Sequence, residues 1–296
     1  MKYKRVDVYE ENNEIVIADV KDFEPKHVFE CGQCFRWIKE EDSSYTGIVK
    51  GKVINVSKIG ENLYFKNASF VDFQEIWYDY FDFDRDYGEL KDKILLDNHM
   101  KEAIQFGHGI RLLKQDFHEM LVSFIISSNN NIPRIIKSIE TLSKIGGRDL
   151  EFNLKRYYGF PELKAILEMG LEGIGQTKLG YRAPYILDTA TRVMESGLGF
   201  NDLCGIEYID AKNRLLKLKG VGSKVSDCVL LFSGIKYHVF PVDVWVKRVM
   251  EELYLKREMT LKDINSYGSE YFGENCGFAQ QYLFYYAREK RIGIGK

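Results

Sequence analysis

A chain of 296 residues, 45% hydrophobic and 14% aromatic, can fill one large or two modest domains, and its formal net charge of −2 excludes a polycation. Five cysteines, at 31, 34, 204, 228 and 276, give no disulfide framework and point to a reducing, intracellular compartment: cytoplasm or nucleoid, or the nucleus in a eukaryote. The N-terminal MKYKRVDVYEENNE lacks the apolar centre of a signal peptide, and no stretch is long enough to span a membrane.

Residues 1 to about 70 read as strands. Segments 14–20, 28–31, 33–38, 45–50, 51–57 and 62–66 are short, rich in β-branched and aromatic residues, and bounded by Asn, Gly, Ser or Asp. They predict an antiparallel sheet, in which Gly32 alone would be a bulge. Cys31 and Cys34 form a CxxC, but no second pair stands at zinc-finger spacing, so metal or redox use ranks last. Residues 71–107 turn helical, with Phe73, Trp77, Tyr80 and Phe81 on one apolar stripe. Between Asp72 and Asp92 eight acidic residues face two basic ones, a solvated surface that would repel a polyanion. Phe117, Met120, Leu121, Phe124 and Ile125 follow helical spacing, and the helix stops at Ser127-Ser-Asn-Asn-Asn131, with Pro133 fitting the first turn of the next. Gly173-Ile-Gly175 reads as a Gly-x-Gly near a helix start, followed by Lys178-Leu-Gly-Tyr-Arg-Ala183. A last helix, from near 277 to 288, puts Gln280 and Phe284 on one face.

Residues 215–246 carry the chemistry. An apolar helix ends in Gly220-Val221-Gly222 and a second begins at once. The glycines allow positive φ and close approach of another chain, and the second helix offers free N–H groups to an anion such as a phosphate. From Asp210 to Met250 eight Lys or Arg face three Asp, a local basic surface on a near-neutral protein. With Ser223 as the expected N-cap, Lys224 lies in the first turn, where the helix dipole disfavours a cation by ~0.3–1 kcal/mol. A neutral amine is a nucleophile able to form a Schiff base. Cys228 is four residues on, on the same face, and Asp243 follows at Pro241-Val-Asp243.

GVGSKVSDC followed by VFPVDVW resembles the active-site segment of the 8-oxoguanine DNA glycosylases, within the helix-hairpin-helix glycosylase superfamily. Similar blocks stand at 31–37 (CGQCFRW), 109–134 (GIRLLKQD, then SFIISSNNNIPR), 178–183 and 277–284, in the family's order. The resemblance implies that Lys224 attacks the deoxyribose C1′, that Asp243 stabilises the developing positive charge, and that Cys228 packs on the flipped base. It implies that the Gly32 carbonyl accepts N7–H of 8-oxoguanine, that Gln280 reads the Watson–Crick edge, and that Phe284 stacks on the base. Asn129 would enter the space the base leaves, Arg134 and Arg182 would contact the orphaned cytosine, and Tyr181 would wedge into the stack. Gly220, Val221 and Gly222 would grip the backbone. Trp245 stands where the family often has a phosphate-contacting His.

The expected fold is α+β: an N-terminal antiparallel sheet with flanking helices over residues 1–115, then an all-helical glycosylase domain over 116–296 with its helix-hairpin-helix at about 210–234. The expected enzyme is a monomeric, bifunctional DNA N-glycosylase/AP lyase acting on 8-oxoguanine opposite cytosine in duplex DNA. It needs no redox cofactor or catalytic metal; relatives imply a monovalent cation at the hairpin. The endonuclease III branch is disfavoured by the absence of its four-cysteine cluster run. A glycosylase for another damaged base stays open, as does a non-catalytic DNA-binding module.

Overall fold

The computed structural model describes residues 2–294. Seven strands, β1 (Lys2–Tyr3), β2 (Val6–Glu11), β3 (Glu14–Ala18), β4 (Trp37–Lys39), β5 (Tyr45–Val49), β6 (Lys52–Ile59) and β7 (Asn62–Lys66), form one antiparallel sheet in the order β1-β2-β3-β7-β6-β5-β4. Its tight turns use residues that tolerate the left-handed region, such as Asn12 and Asn13 at φ 51° and 60°. One face of the sheet packs on the aromatic stripe expected from sequence, with Phe73, Trp77, Tyr80 and Phe81 all buried.

Strand β5 is buried at every residue, so it shows no alternation. The reason lies far along the chain. A two-stranded hairpin, β8 (Asp149–Phe152) with β9 (Lys155–Tyr158), covers the outer face through Tyr157 on Ile48 and Val53. This hairpin, inserted in the helical part, was not visible in the hydrophobic pattern.

Of the expected strands, 28–31 is absent and 33–38 is shortened to β4 at its far end. Residues 28–29 end a short helix, Pro25–Phe29, which starts on Pro25, and the chain stays irregular until β4 begins at Trp37. Gly32 is therefore no strand bulge; it is a turn residue at φ 86°. Side-chain amides take the place of strand pairing. Gln33 Nε2 donates to the carbonyls of Val28 (2.9 Å) and Arg111 (2.7 Å), and its Oε1 accepts from Leu113 N (2.9 Å). Gln115 Nε2 donates to Gln33 O (2.8 Å), and Gln281 Nε2 to Cys31 O (2.7 Å). The two cysteines flanking this turn part company: Cys31 belongs to the helical core and Cys34 to the sheet core.

The remaining chain is mostly helical. Phe117–Ser127 and Ser223–Phe232 pack side by side on the helical core. The long final helix, Cys276–Lys290, is buried at every residue from Cys276 to Leu283 and runs beneath the 30–36 turn. Gly173 and Gly175 close the helix Leu163–Gly175 instead of opening one; its break falls earlier, at Gly170 (φ 56°).

Gln33→Leu removes three side-chain hydrogen bonds, strands Leu113 N and Arg111 O without partners and leaves Val28 O only the weak Cys31 thiol donor. A stability loss of about 2–5 kcal/mol is expected in urea unfolding. A variant with an unchanged midpoint would show that the turn is held by something else.

Candidate active site

The hairpin consists of Tyr208–Leu216, a turn through Gly220, and Ser223–Phe232. Gly220 has φ 78°, and a Cβ there would come within 2.9 Å of Tyr185 Cδ2, so only glycine fits. The N-cap is Gly222 and not Ser223, which places Ser223 and Lys224 at the first two helical positions. Their backbone amides have no partner inside the helix, as expected of a helix start.

Lys224 points away from the hairpin's outer surface. Its Nζ donates to Ser127 Oγ (3.1 Å) and lies 4.9 Å from the Phe124 ring centroid, both on the neighbouring helix. Asp243 caps the helix Val244–Val249, accepting from Trp245 N (3.0 Å) and Val246 N (2.9 Å). Among the described residues no ion pair joins Lys224 to Asp243, so neither charge is neutralised by the other at contact. Burial pushes the Asp243 carboxyl above the ordinary aspartate value, against the opposing pull of the two amides, Lys224 and Arg288.

Lys224 and Asp243 line one cavity of about 630 Å³. Gly32, Cys228, Gln280, Phe284, Asn129 and Trp245 line it too. The helix Ser223–Phe232 brings Cys228 to the wall, where burial pushes its thiol up to about 12 despite Lys224 beside it. The thiol is thus neutral and acts as packing surface. The final helix supplies Gln280 and Phe284. A Cβ on Gly32 would come within 2.8 Å of Phe284 Cε1, so the turn and the ring meet. Gln280 is only 4% exposed, and its Oε1 accepts no hydrogen bond. A buried acceptor left open at a cavity wall calls for a donor from a ligand.

Of the other expected residues, Arg134, Tyr181 and Arg182 do not line the cavity, whereas Asn129 does. Asn129 stands at its rim in the left-handed region (φ 48°), in the turn whose last residue, Asn131, caps Ile132–Gly146. Arg182 Nε donates to Ser128 O (2.9 Å) and Nη2 to Asn129 O (2.8 Å), so this guanidinium holds the rim. Tyr181 is 54% exposed, beneath Arg182 at 4.4 Å and edge-on to Tyr185. Arg134 is exposed beyond the same turn. The residues missed in the sequence are Ser127, Phe124, Gln281 and Arg288. Arg288 alone had a signal, since it follows Phe284 by four and shares its face.

Residues 15–121 match the 8-oxoguanine DNA glycosylase N-terminal domain, and residues 122–272 match the HhH-GPD superfamily of base excision DNA repair proteins. The chain belongs to the 8-oxoguanine DNA glycosylase family of that superfamily. It is 32% identical over 218 residues to a probable N-glycosylase/DNA lyase of Methanothermobacter thermautotrophicus, covering 67% of this chain and 70% of that one. The fold agrees at a TM-score of 0.94 with the 8-oxoguanine glycosylase/lyase of Clostridium acetobutylicum, solved with double-stranded DNA containing cytosine opposite 8-oxoG; identity is 42%, covering 97% and 100% of the two chains. MBOgg1, solved with a low-affinity DNA ligand, gives 45% identity and a TM-score of 0.94 over 98% and 100%. As a member of this family the chain is an enzyme, a bifunctional glycosylase and lyase.

Because Asp243 titrates above 3.8, the acid limb of the excision rate should have its midpoint above that value, activity falling as the carboxylate is protonated. Asp243→Asn should lower the single-turnover rate by about 100- to 1,000-fold. The folded state favours the protonated carboxyl, so ionised Asp243 costs stability once the pH passes its folded pKa. The amide avoids that cost, and Asp243→Asn should melt higher at neutral pH. A lower melting temperature would mean that the capping bonds outweigh desolvation.

Proposed function

We propose that this enzyme removes 8-oxoguanine from duplex DNA and then nicks the abasic strand through a Lys224 Schiff base. The observation that carries the reading is the single cavity shared by Lys224, Asp243 and the unpaired Gln280 Oε1. An extruded purine would offer N1–H or the exocyclic amine to Gln280 and its face to Phe284, with Cys228 as a neutral wall. The Gly32 carbonyl would accept N7–H, which 8-oxoguanine has and guanine lacks. One such buried bond discriminates by about 10- to 100-fold.

In the chemistry, neutral Lys224 attacks C1′ as the bond from C1′ to the base breaks and its electrons leave with the base. Asp243 faces the oxocarbenium-like charge of the transition state. The amine and C1′ become a Schiff base on ring opening. Loss of a C2′ proton then expels the 3′ phosphate. Ser127 orients the amine before attack, and its hydroxyl can accept from Nζ in either protonation state.

DNA would be held by the first amides of Ser223–Phe232 and the basic residues around them. Asn129 and Arg134 would meet the orphaned base; Arg182, tied to the rim carbonyls, would support them and leave less capacity for cytosine than a free guanidinium. Tyr181, exposed and braced, would fill the vacated stack. The hairpin carbonyls of Leu218 and Lys219 each accept one bond, from Val221 N (3.3 Å) and Thr189 Oγ1 (3.1 Å), and each keeps a second lone pair. They fit a loosely held monovalent cation, which would add positive charge opposite a phosphate.

Borohydride trapping on a duplex with one 8-oxoguanine opposite cytosine should give a covalent adduct with the wild type and none with Lys224→Gln, while the variant still shifts the duplex in a gel. An adduct only with another damaged base would keep the nucleophile and replace the substrate. No adduct with any lesion would leave Lys224 as a phosphate contact.

A further inference from the structure

Arg288 lines the same cavity, yet nothing above gives it a role toward substrate. It sits one helical turn after Phe284, with only 15% of its side chain exposed. Its guanidinium lies 5.4 Å from the Phe284 ring centroid and 5.7 Å from that of Tyr285. Two of its nitrogens are occupied. Nη2 donates to Glu30 O, at the start of the Gly32 turn, and Nε donates to Glu289 Oε1 (3.0 Å). Nη1 has no hydrogen bond among the described residues, although a Cβ on Gly32 would come within 3.0 Å of it. A charged donor pair is therefore held beside Gly32, at the cavity wall, with its position fixed from two sides.

An arginine this confined is expected to use its donors. On 8-oxoguanine the protonated N7 is flanked by two carbonyl oxygens, O8 on the oxidised carbon and O6 on the six-membered ring. A base that gives N7–H to Gly32 must present one of these acceptors to the groups next to that glycine. The geometry points to Arg288 as a base-recognition residue: its Nη1 donates to a carbonyl oxygen flanking N7–H, while Nη2 secures the Gly32 turn through Glu30. This rests on the cavity being the 8-oxoguanine pocket. The same arginine then does two linked jobs, since the turn that accepts N7–H and the donor that meets its neighbour are tied to one guanidinium.

The test compares single-turnover base excision with nicking at a preformed abasic site, for wild type, Arg288→Met and Arg288→Lys. Methionine keeps the packing on Phe284 without donors. It should lower the ratio of excision to nicking by about 10- to 100-fold. Lysine, with one charged donor centre, should recover part of that ratio. Repeating the series on 8-oxoadenine, which keeps O8 and N7–H but has an amine in place of O6, assigns the atom: a penalty that persists marks O8, and one that vanishes marks O6. Equal losses in excision and nicking would overturn the proposal and leave Arg288 as general support for the fold; unchanged rates in both would overturn it as well. A wild type that spares 8-oxoguanine but excises another lesion would overturn the pocket reading itself, and this assignment with it.

Discussion

The turn at residues 30–36 has no strand or helix to hold it, and it nonetheless places Gly32 at the wall of a cavity. Its backbone polar groups are buried at the seam between two hydrophobic cores, where an unpaired one costs about 1–3 kcal/mol. Glutamine resolves this because its amide carries a donor and an acceptor on a flexible stem. Gln33 satisfies groups on both sides of the seam, Gln115 reaches back from the 109–115 segment, and Gln281 reaches up from the final helix. Three separate stretches of chain thereby fix one turn. The same segment runs on to the hairpin, because Gln115 N donates to Phe232 O at the end of the Lys224 helix. The Gly32 turn and the Lys224 helix are thus referenced to a common backbone.

The charges are arranged for reaction at some cost to stability. Lys224 stands where the helix start disfavours a cation, and its partner is a hydroxyl in place of a carboxylate. Asp243 is desolvated and raised, with two backbone amides and Lys224 opposing the shift. A contact ion pair between the two would stabilise the fold and quench both. Kept out of contact on the wall of one cavity, the amine and the carboxyl both stay available to a ligand, as the proposed chemistry requires.

Much of this was legible in the sequence where a residue's role depends on its neighbours in the chain. The helical spacing of Phe117 to Ile125, the amide-rich stop after it, the double glycine before Lys224, and the Gln280–Phe284 pair all rest on spacings of a few residues, and the structure brings the cavity-facing ones together. What the sequence hid depends on partners far away. Residues 28–36 have strand-like composition, but Pro25 starts a helix and Gln33 finds partners near residue 111. Strand β5 reads as a core strand only once Tyr157, over a hundred residues later, covers it. The contacts of Arg182 to the carbonyls of Ser128 and Asn129 were hidden because those acceptors are backbone atoms with no side-chain signature.

Those two carbonyls also explain how the outer surface works as one piece. Tyr185 fills the space that a side chain on Gly220 would need; Tyr181 stands edge-on to Tyr185 and under Arg182; Arg182 grips the turn that carries Asn129. The hairpin turn is therefore joined through packed side chains to exposed Tyr181 and to Asn129 at the cavity rim. On the proposed function, a strand gripped at the hairpin and met by Tyr181 and Asn129 would bend or release a base between them, next to the cavity that Asn129 shares with Lys224.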